Sequence, residues 1–187
     1  FGEPRLIGLK TMELPDGSFL TAGSRSRAIN YNNSEWFNLF LIKTDKNGFT
    51  LWSKEISTVT SPFRPSNHVL ITPQNEILVL SIESVDSINT LNIKKFDFDG
   101  NEILSTNLIS DSTIFGSAII SLKDDSFMIT YGDNYPSNPI SILKIDTQLN
   151  IIWHKKIMAN YPSGLYGSFS INKWLSLIHI SEPTRPY

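Results

Sequence analysis

The chain has 187 residues, of which 40% are hydrophobic and 18% charged, with a net charge of −2 and no cysteine. This composition is typical of a folded chain that buries a core, and it argues against intrinsic disorder. The small negative charge, without a basic stripe, argues against nucleic acid as a partner. The absence of cysteine excludes disulfides, thiolate catalysis and cysteine-bound zinc, and no run reaches the roughly 18 apolar residues that a transmembrane helix requires.

The predicted elements, taken from the N terminus, are short strands joined by turns. The first unit has four of them, at residues 7–14, 18–22, 39–45 and 50–56. Turns are predicted at Pro15-Asp16-Gly17 and at Asp45-Lys46-Asn47-Gly48. Asp can accept a hydrogen bond from the backbone two residues further on, and Gly adopts a positive φ without steric cost. After the first turn of three successive units, one equivalent position is predicted to be buried: Phe19, Ile77 and Phe127.

The third and fourth strands of this unit recur along the chain. LIKTDKNGFTLWSKEI at 41–56 is followed by IKKFDFDGNEILSTNL at 93–108 and LKIDTQLNIIWHKKIM at 143–158. The aligned aspartates are Asp45, Asp97 and Asp146, at steps of 52 and 49 residues. Self-similarity at a period of about 50 residues is typical of a repeat architecture.

Four short strands in each unit, with no helical periodicity, predict an all-β fold: a β-propeller fragment of about three four-stranded antiparallel blades plus the start of a fourth. The predicted blades cover residues 7–56, 68–108, 117–158 and, in part, 165–174. Residues 1–174 would then form an incomplete propeller. The alternative is a β-sandwich, which explains the strands but not the repetition.

The repeat motif L-x-K-x-D-x-x-G-x-x-x-W, seen at Leu41, Lys43, Asp45, Gly48 and Trp52, resembles that of uncharacterised bacterial extracytoplasmic β-propeller repeat proteins of the quinoprotein-like superfamily. The resemblance implies a periplasmic, cell-surface or secreted location, as a lipoprotein or a type IX-secreted protein. In the pyrroloquinoline quinone enzymes this motif is longer by one residue before its Gly and one before its Trp. The resemblance therefore implies neither the quinone cofactor nor its activity.

The C-terminal segment differs from the repeats. Residues 175–185, LSLIHISEPTR, resemble a translated sequencing adaptor. We therefore expect residues 175–187 to be an adaptor-derived tail, and the natural protein to continue beyond Trp174. Because the first residue is Phe1, the natural start is expected to lie upstream or to have been removed.

The aspartate-containing turns supply some of the oxygen ligands that calcium requires. Asp45 with Asn47, and Asp97 with Asp99, are the relevant pairs. Neither loop has the bidentate Glu of an EF-hand, and the copy at Asp146 lacks the Gly. Turn chemistry is the preferred interpretation, and neither a metal nor a cofactor is predicted.

Other candidate residues also have structural interpretations. Trp52, Leu104 and Trp153 share one repeat position, which favours packing between neighbouring blades over a ligand platform. Three lysines precede the repeat aspartates by two residues and are predicted to form structural pairs: Lys43, Lys95 and Lys144. His68 and His154 lie at different repeat positions, so no convergent metal or catalytic site is predicted.

The lengths of the connections predict where function lies. One edge of each blade has short turns, whereas the other has longer connections at residues 24–36, 57–67, 82–90 and 133–139. Loops on a rigid scaffold commonly carry function, and aromatic and Arg side chains anchor interfaces. Trp36, Arg64 and Tyr135 are the candidate binding residues.

The sequence predicts a non-enzymatic binding or scaffolding propeller of the bacterial cell envelope or secreted fraction, with a protein, peptide or glycan partner. The alternative is a propeller lyase or hydrolase whose central-channel site lies outside this fragment.

Overall fold

The computed structural model describes residues 5–28, 35–59, 68–85, 88–111, 114–132 and 140–157. Within these ranges every regular element is a β-strand. The strands are β1 Arg5–Glu13, β2 Phe19–Ala28, β3 Glu35–Thr44, β4 Thr50–Val59, β5 His68–Ile71, β6 Ile77–Val85, β7 Ile88–Phe96, β8 Glu102–Asp111, β9 Phe115–Ser121, β10 Phe127–Gly132, β11 Ile140–Ile145 and β12 Ile151–Ile157. This part of the chain contains no helix with the length and apolar character needed to cross a membrane.

The strands form three four-stranded antiparallel sheets, each built from four consecutive strands. The first sheet contains β1–β4, the second β5–β8 and the third β9–β12. The first strand of each sheet pairs with the second, and the third with the fourth, because the chain reverses direction in a short turn between them. The predicted all-β class and the three four-stranded antiparallel sheets are confirmed. The predicted fourth unit at 165–174 and the tail at 175–187 lie outside the described residues.

The second sheet is buried on both faces, and its alternating side chains divide between two cores. Ile77, Val79 and Phe96 pack in a cluster with residues of the first sheet. Leu78 and Ile93 pack in another cluster with residues of the third sheet. Successive side chains of a strand point to opposite faces of the sheet. We call the face that the second sheet presents to the first, and its equivalent in the other two sheets, the front face, and we call the opposite face the back face.

The predicted turns form as their chemistry indicates. Asp45 Oδ1 accepts hydrogen bonds from the backbone N–H of Asn47 and Phe49, at 2.9 and 2.8 Å. Asp97 and Asp146 accept the equivalent pairs of bonds. Gly48 has φ +88 in this turn, whereas Leu149 holds the same place in the third copy with φ 63. Side-chain hydrogen bonding by Asp can therefore impose the turn without Gly, at the cost of a strained leucine.

Two predictions about the strands are wrong in detail. The connections at 24–36 and 82–90 are shorter than predicted, since β2 runs to Ala28 and only residues 86–87 separate β6 from β7. Polar residues such as Glu83 and Thr90 remain in the ladder as a cross-strand pair, because a polar side chain does not prevent backbone pairing. Ile77 and Phe127 are fully buried as predicted, but Phe19 is only half-buried, on the front face of the first sheet.

Candidate functional site

The three candidate binding residues are distributed as follows. The backbone of Trp36 lies within β3, paired with Arg27, so its predicted position in a loop is wrong. Its strand continues because the ladder between β2 and β3 extends from Phe19 to Ala28. Arg64 and Tyr135 lie outside the described residues. The structure therefore leaves the predicted grouping of these three side chains as a prediction.

The three repeat lysines have acidic partners in the first turn of their own sheet. Lys43 Nζ lies 3.0 Å from Asp16 Oδ2. The equivalent contacts join Lys95 to Glu76 and Lys144 to Asp124, both at 2.6 Å. The prediction that these lysines form structural pairs at an edge of the sheets is confirmed, but the partner is an acid of the turn between the first two strands and not the aspartate two residues further on. We call the end of the sheets that carries these turns the turn edge, comprising residues 14–18, 45–49, 72–76, 97–101, 122–126 and 146–150.

Hydrogen bonds in the first turn of the first and third sheets lower the pKa of one aspartate in each. Hydrogen bonds from Ser18, and then from Lys43, lower the pKa of Asp16 to about 2. Hydrogen bonds from Lys144 and Ser126 lower the pKa of Asp124 to about 2. Both carboxylates are exposed, so the stabilisation behind these shifts is screened by water.

The second turns of the second and third sheets also contain an aspartate with a lowered pKa. The side-chain amide of Asn101 is the main cause of a lowered pKa at Asp97. At Asp146, partial burial acts to raise the pKa, but hydrogen bonds from Asn150 and Gln148 and the charge of Lys95 outweigh it. These carboxylates already accept hydrogen bonds from donors in their own turns. We therefore interpret the turn edge as structural.

Trp52 joins the first sheet to the turn edge of the second. Its Nε1 donates to Phe98 O at 3.0 Å, and its ring packs against Gly100. Lys54 Nζ donates to Gly100 O at 2.8 Å. Leu104, at the same repeat position, packs against the cluster between the second and third sheets. The prediction that this position serves packing between neighbouring sheets is confirmed at these two positions.

A row of polar side chains crosses the front face of the second sheet. Ser81 pairs with Asn92 across β6 and β7, and Asn92 pairs with Asn107 across β7 and β8. Asn92 Nδ2 donates to Asn107 Oδ1 at 2.6 Å. Ser81 is 0% exposed and Asn92 6% exposed. This row lies beyond the apolar residues Ile77 and Val79, on the part of β6 that leads away from the turn edge.

An ion pair adjoins the row. Lys94 Nζ lies 3.2 Å from Glu83 Oε1 and also donates to Ile56 O of β4 at 3.1 Å. We call the row and the ion pair together the polar patch, comprising Ser81, Glu83, Asn92, Lys94 and Asn107. The lysine bonded to β4 places the patch where the second sheet faces the first.

Three buried oxygens of the polar patch have no hydrogen-bond partner: Ser81 Oγ, Asn92 Oδ1 and Glu83 Oε1. Glu83 Oε1 is near Lys94 as an ion-pair partner but accepts no hydrogen bond. Leaving a buried polar group unsatisfied costs about 1–3 kcal/mol, and such groups commonly bind water or a ligand. The patch offers a hydroxyl, amides, a carboxylate and an ammonium, which suits hydrogen bonding to a polar ligand.

The third sheet has a different arrangement at the equivalent place. Tyr131, at the position of Ser81, is fully buried, and its hydroxyl lies 3.1 Å from His154 Nε2. The backbone of His68 lies in β5, paired with Leu80. Within the described ranges, no group of three or more His, Cys, Asp or Glu side chains could hold a metal ion.

Sequence reasoning missed the polar patch. The available signal was the replacement of apolar by polar residues along one strand face, where Ile77 and Val79 are followed by Ser81 and Glu83. A scan of the sequence against protein-family models finds no match, and a search of curated proteins finds none either. The repeat and the contacts described above are therefore the basis on which a function is proposed.

Proposed function

We propose that the chain is part of a bacterial extracytoplasmic β-propeller, whose three sheets are consecutive blades, and that it binds a protein, peptide or glycan without chemical conversion. The binding edge is the one opposite the turn edge. Extracytoplasmic location, at the cell surface, in the periplasm or in secreted form, is part of the proposal and derives from the repeat motif.

The propeller assignment is supported by the way in which the sheets succeed one another. Each sheet contains four consecutive strands, and the back face of one packs on the front face of the next. Sequential four-stranded units with this relation are the building plan of a propeller. A sandwich would instead distribute the strands of a repeat between two sheets that face each other.

The binding edge is proposed from the contrast between the two edges of the sheets. At the turn edge, the carboxylates already accept hydrogen bonds from backbone, Ser, Asn or Lys donors. Away from it, two buried oxygens of the polar patch, Ser81 Oγ and Asn92 Oδ1, have no partner, and Glu83 Oε1 has only an ion-pair contact with Lys94. This contrast is the observation that carries the proposal, because an unsatisfied group gains more from a ligand than a satisfied one.

Trp36, Arg64 and Tyr135 remain the proposed anchors, because all three belong to or border the connections at the binding edge. Trp36 is the second residue of β3, two positions after the connection at 29–34. Aromatic and Arg side chains supply most of the affinity at interfaces. The polar patch would add hydrogen-bond specificity to the binding edge. No observation on the described residues favours the lyase or hydrolase alternative.

The test is a binding screen of the chain against bacterial glycans and envelope proteins, followed by single variants Trp36→Ala, Arg64→Ala and Tyr135→Ala. A true anchor contributes about 2 kcal/mol or more, so each variant should weaken binding about thirtyfold. The melting temperature should change little.

Lys46→Ala is the matched control, because Lys46 is exposed at the turn edge and should leave binding unchanged. If Lys46→Ala weakens binding while the three anchor variants do not, the proposed edge is wrong.

A further inference from the structure

The back faces of the first two sheets are buried at equivalent positions. Leu20 and Leu78 each pair across the sheet with the repeat lysine, and both are fully buried. Leu41 and Ile93 lie two residues before that lysine and are fully buried too. At the end of the fourth strands, the equivalent residues Ile56 and Leu108 are also buried.

The third sheet has apolar residues at the same three positions, but they are less buried. Met128 pairs with Lys144, and Ile142 lies two residues before it. Both are half-buried, and Ile157, at the position of Ile56, is 49% exposed. Trp153, at the position of Trp52, is half-buried on the same face. The back face of the third sheet is formed by Met128, Ile142, Trp153 and Ile157. It is as apolar as the back faces of the other two sheets, but it is less buried.

The exposure of Ile157 is not a general property of the fourth strands. On their opposite face, one repeat position is exposed in all three sheets, at Leu51, Ile103 and Ile152. By contrast, the position of Ile157 is exposed only in the third sheet. This position is buried in the first two sheets, where the next sheet covers the back face, and it is exposed in the third.

The two existing interfaces show what such a face binds. The first strand of each following sheet contributes to the cluster: Val69 packs with the first sheet, and Ile119 with the second. β9 contacts both β5 and β6 of the preceding sheet. Ile114, just before β9, is also buried in that cluster. The first partner of a back face is thus the first strand of the next repeat.

The sequence after β12 supplies a counterpart of β9. Leu165 to Ile171, LYGSFSI, matches Ile114 to Ile120, IFGSAII, with an aromatic-Gly-Ser step 51 residues later. Counted to the residue before the counterpart of Phe115, the connecting segment would be eight residues, 158–165. The two existing connections between sheets span residues 60–67 and 112–114, which are eight and three residues. The segment therefore has the right pattern and lies at the right distance along the chain.

We infer that the back face of the third sheet is a docking surface for residues 165–171 of this chain. These residues would form the first strand of a fourth sheet and would pack face to face over β9. Leu165 would occupy the place that Ile114 occupies on the second sheet. Residues 165–171 are outside the described ranges, so the inference rests on the uncovered face and on the repeat. It does not depend on the proposed ligand.

The test is hydrogen exchange of the backbone amides in the full chain, with two variants of the third sheet. Residues 165–171 should exchange at least about tenfold more slowly than a free peptide of that sequence, because docked strands are protected. Ile142→Lys places a charge on the docking surface and should abolish this protection. Ile152→Lys is the matched control on the exposed face and should preserve it.

The inference is wrong if the amides of residues 165–171 are not protected in the unmodified chain. It is also wrong if their protection persists in Ile142→Lys. Light scattering gives an independent outcome: a particle of about twice the 21.1 kDa chain mass, reduced to the chain mass by Ile142→Lys, would mean that a second copy occupies the face.

A cross-linking experiment keeps the inference testable if Ile142→Lys fails to fold. Because the chain has no cysteine, a pair introduced by Ile120→Cys and Ser168→Cys can be joined by a short bismaleimide without competing thiols. Docking predicts rapid intramolecular cross-linking of this pair. The pair Ile152→Cys and Ser168→Cys should cross-link at least tenfold more slowly, and equal rates would contradict docking.

Discussion

The interface between the first and second sheets differs from the one between the second and third in how it is held together. Among the described residues, the first interface contains ten buried hydrophobic residues and the second contains fifteen. The smaller core is supplemented by side chains that donate to carbonyls of the neighbouring sheet, among them Lys10 to Val69 O, Trp52 to Phe98 O and Lys94 to Ile56 O. Across the larger core, Asn89 donates to Ile114 O.

One repeat position accounts for much of this difference. Trp52 both packs and donates a hydrogen bond to the turn of the second sheet, so that turn must offer a carbonyl and a glycine. Leu104 only packs. The same repeat position therefore supplies a directional bond at the first interface and only apolar packing at the second. The directional interface should be the less tolerant of changes in the turn, and the apolar one the more sensitive to loss of volume.

The largest effect is expected from removing volume in the apolar interface. Ile93→Ala should lower the free energy of unfolding by about 3 kcal/mol, because this side chain is fully buried between the second and third sheets. Urea denaturation followed by circular dichroism measures it. Ile103→Ala, in an exposed position of the same sheet, is the control and should change stability by less than about 0.5 kcal/mol. Similar losses in both variants would contradict the assignment of this core.

The next effect tests the directional interface at its glycine. A Cβ on Gly100 would lie 3.2 Å from the Trp52 ring, at φ +82. Gly48 has a similar φ of +88, but a Cβ there meets nothing within 4 Å. Gly48→Ala should therefore cost about 1 kcal/mol from backbone strain alone, and Gly100→Ala about 2–3 kcal/mol because overpacking is added.

The two glycine variants are compared in the same thermal unfolding assay. The double variant Gly100→Ala with Trp52→Leu should recover part of the difference, since leucine is the residue that the repeat uses at position 104. If Gly100→Ala and Gly48→Ala are equally stable, the contact with Trp52 does not constrain the turn.

The smallest effect is the dependence of stability on pH. The pKa values of Asp16 and Asp124 are lowered to about 2 in the folded state. At a pH between the ordinary aspartate pKa and about 2, the unfolded chain binds more protons than the folded chain. The stability that these two carboxylates contribute is therefore present above about pH 4 and is lost as the pH falls toward 2. Asp16→Asn and Asp124→Asn should each make the melting temperature less dependent on pH between pH 4 and 2.

The two variants should differ in size at neutral pH. Lys43 is buried and also donates to Phe98 O across the directional interface, so losing the charge of Asp16 leaves a buried ammonium short of its counter-ion. Lys144 is more exposed. Asp16→Asn should therefore lower the melting temperature more than Asp124→Asn does, and the opposite order would contradict the role assigned to Lys43.

Local chemistry explains which features were predictable. The turns follow from Asp and Gly at fixed spacing, because both residues act on backbone within four positions of themselves. The strands follow from alternation, which reports the two faces of a sheet. The ends of the strands were not predictable. Residues Glu83 and Thr90 read as loop by composition, yet they pair across β6 and β7 because the ladder depends on backbone groups that every residue has.

By itself, the sequence determined that the chain is all-β, that it is built from four-stranded units, and that Trp52 and Leu104 serve packing. Those features depend on interactions that are short in sequence or that repeat with its period. The tertiary structure alone decided that Lys43 pairs with Asp16, that Ser81 and Asn92 lie buried without full satisfaction, and that Ile157 is exposed where Ile56 is buried. The partners or coverings in these cases lie in other strands and other sheets. A repeat motif determines the local structure of its own residues. It does not determine which surface of the neighbouring unit those residues will contact.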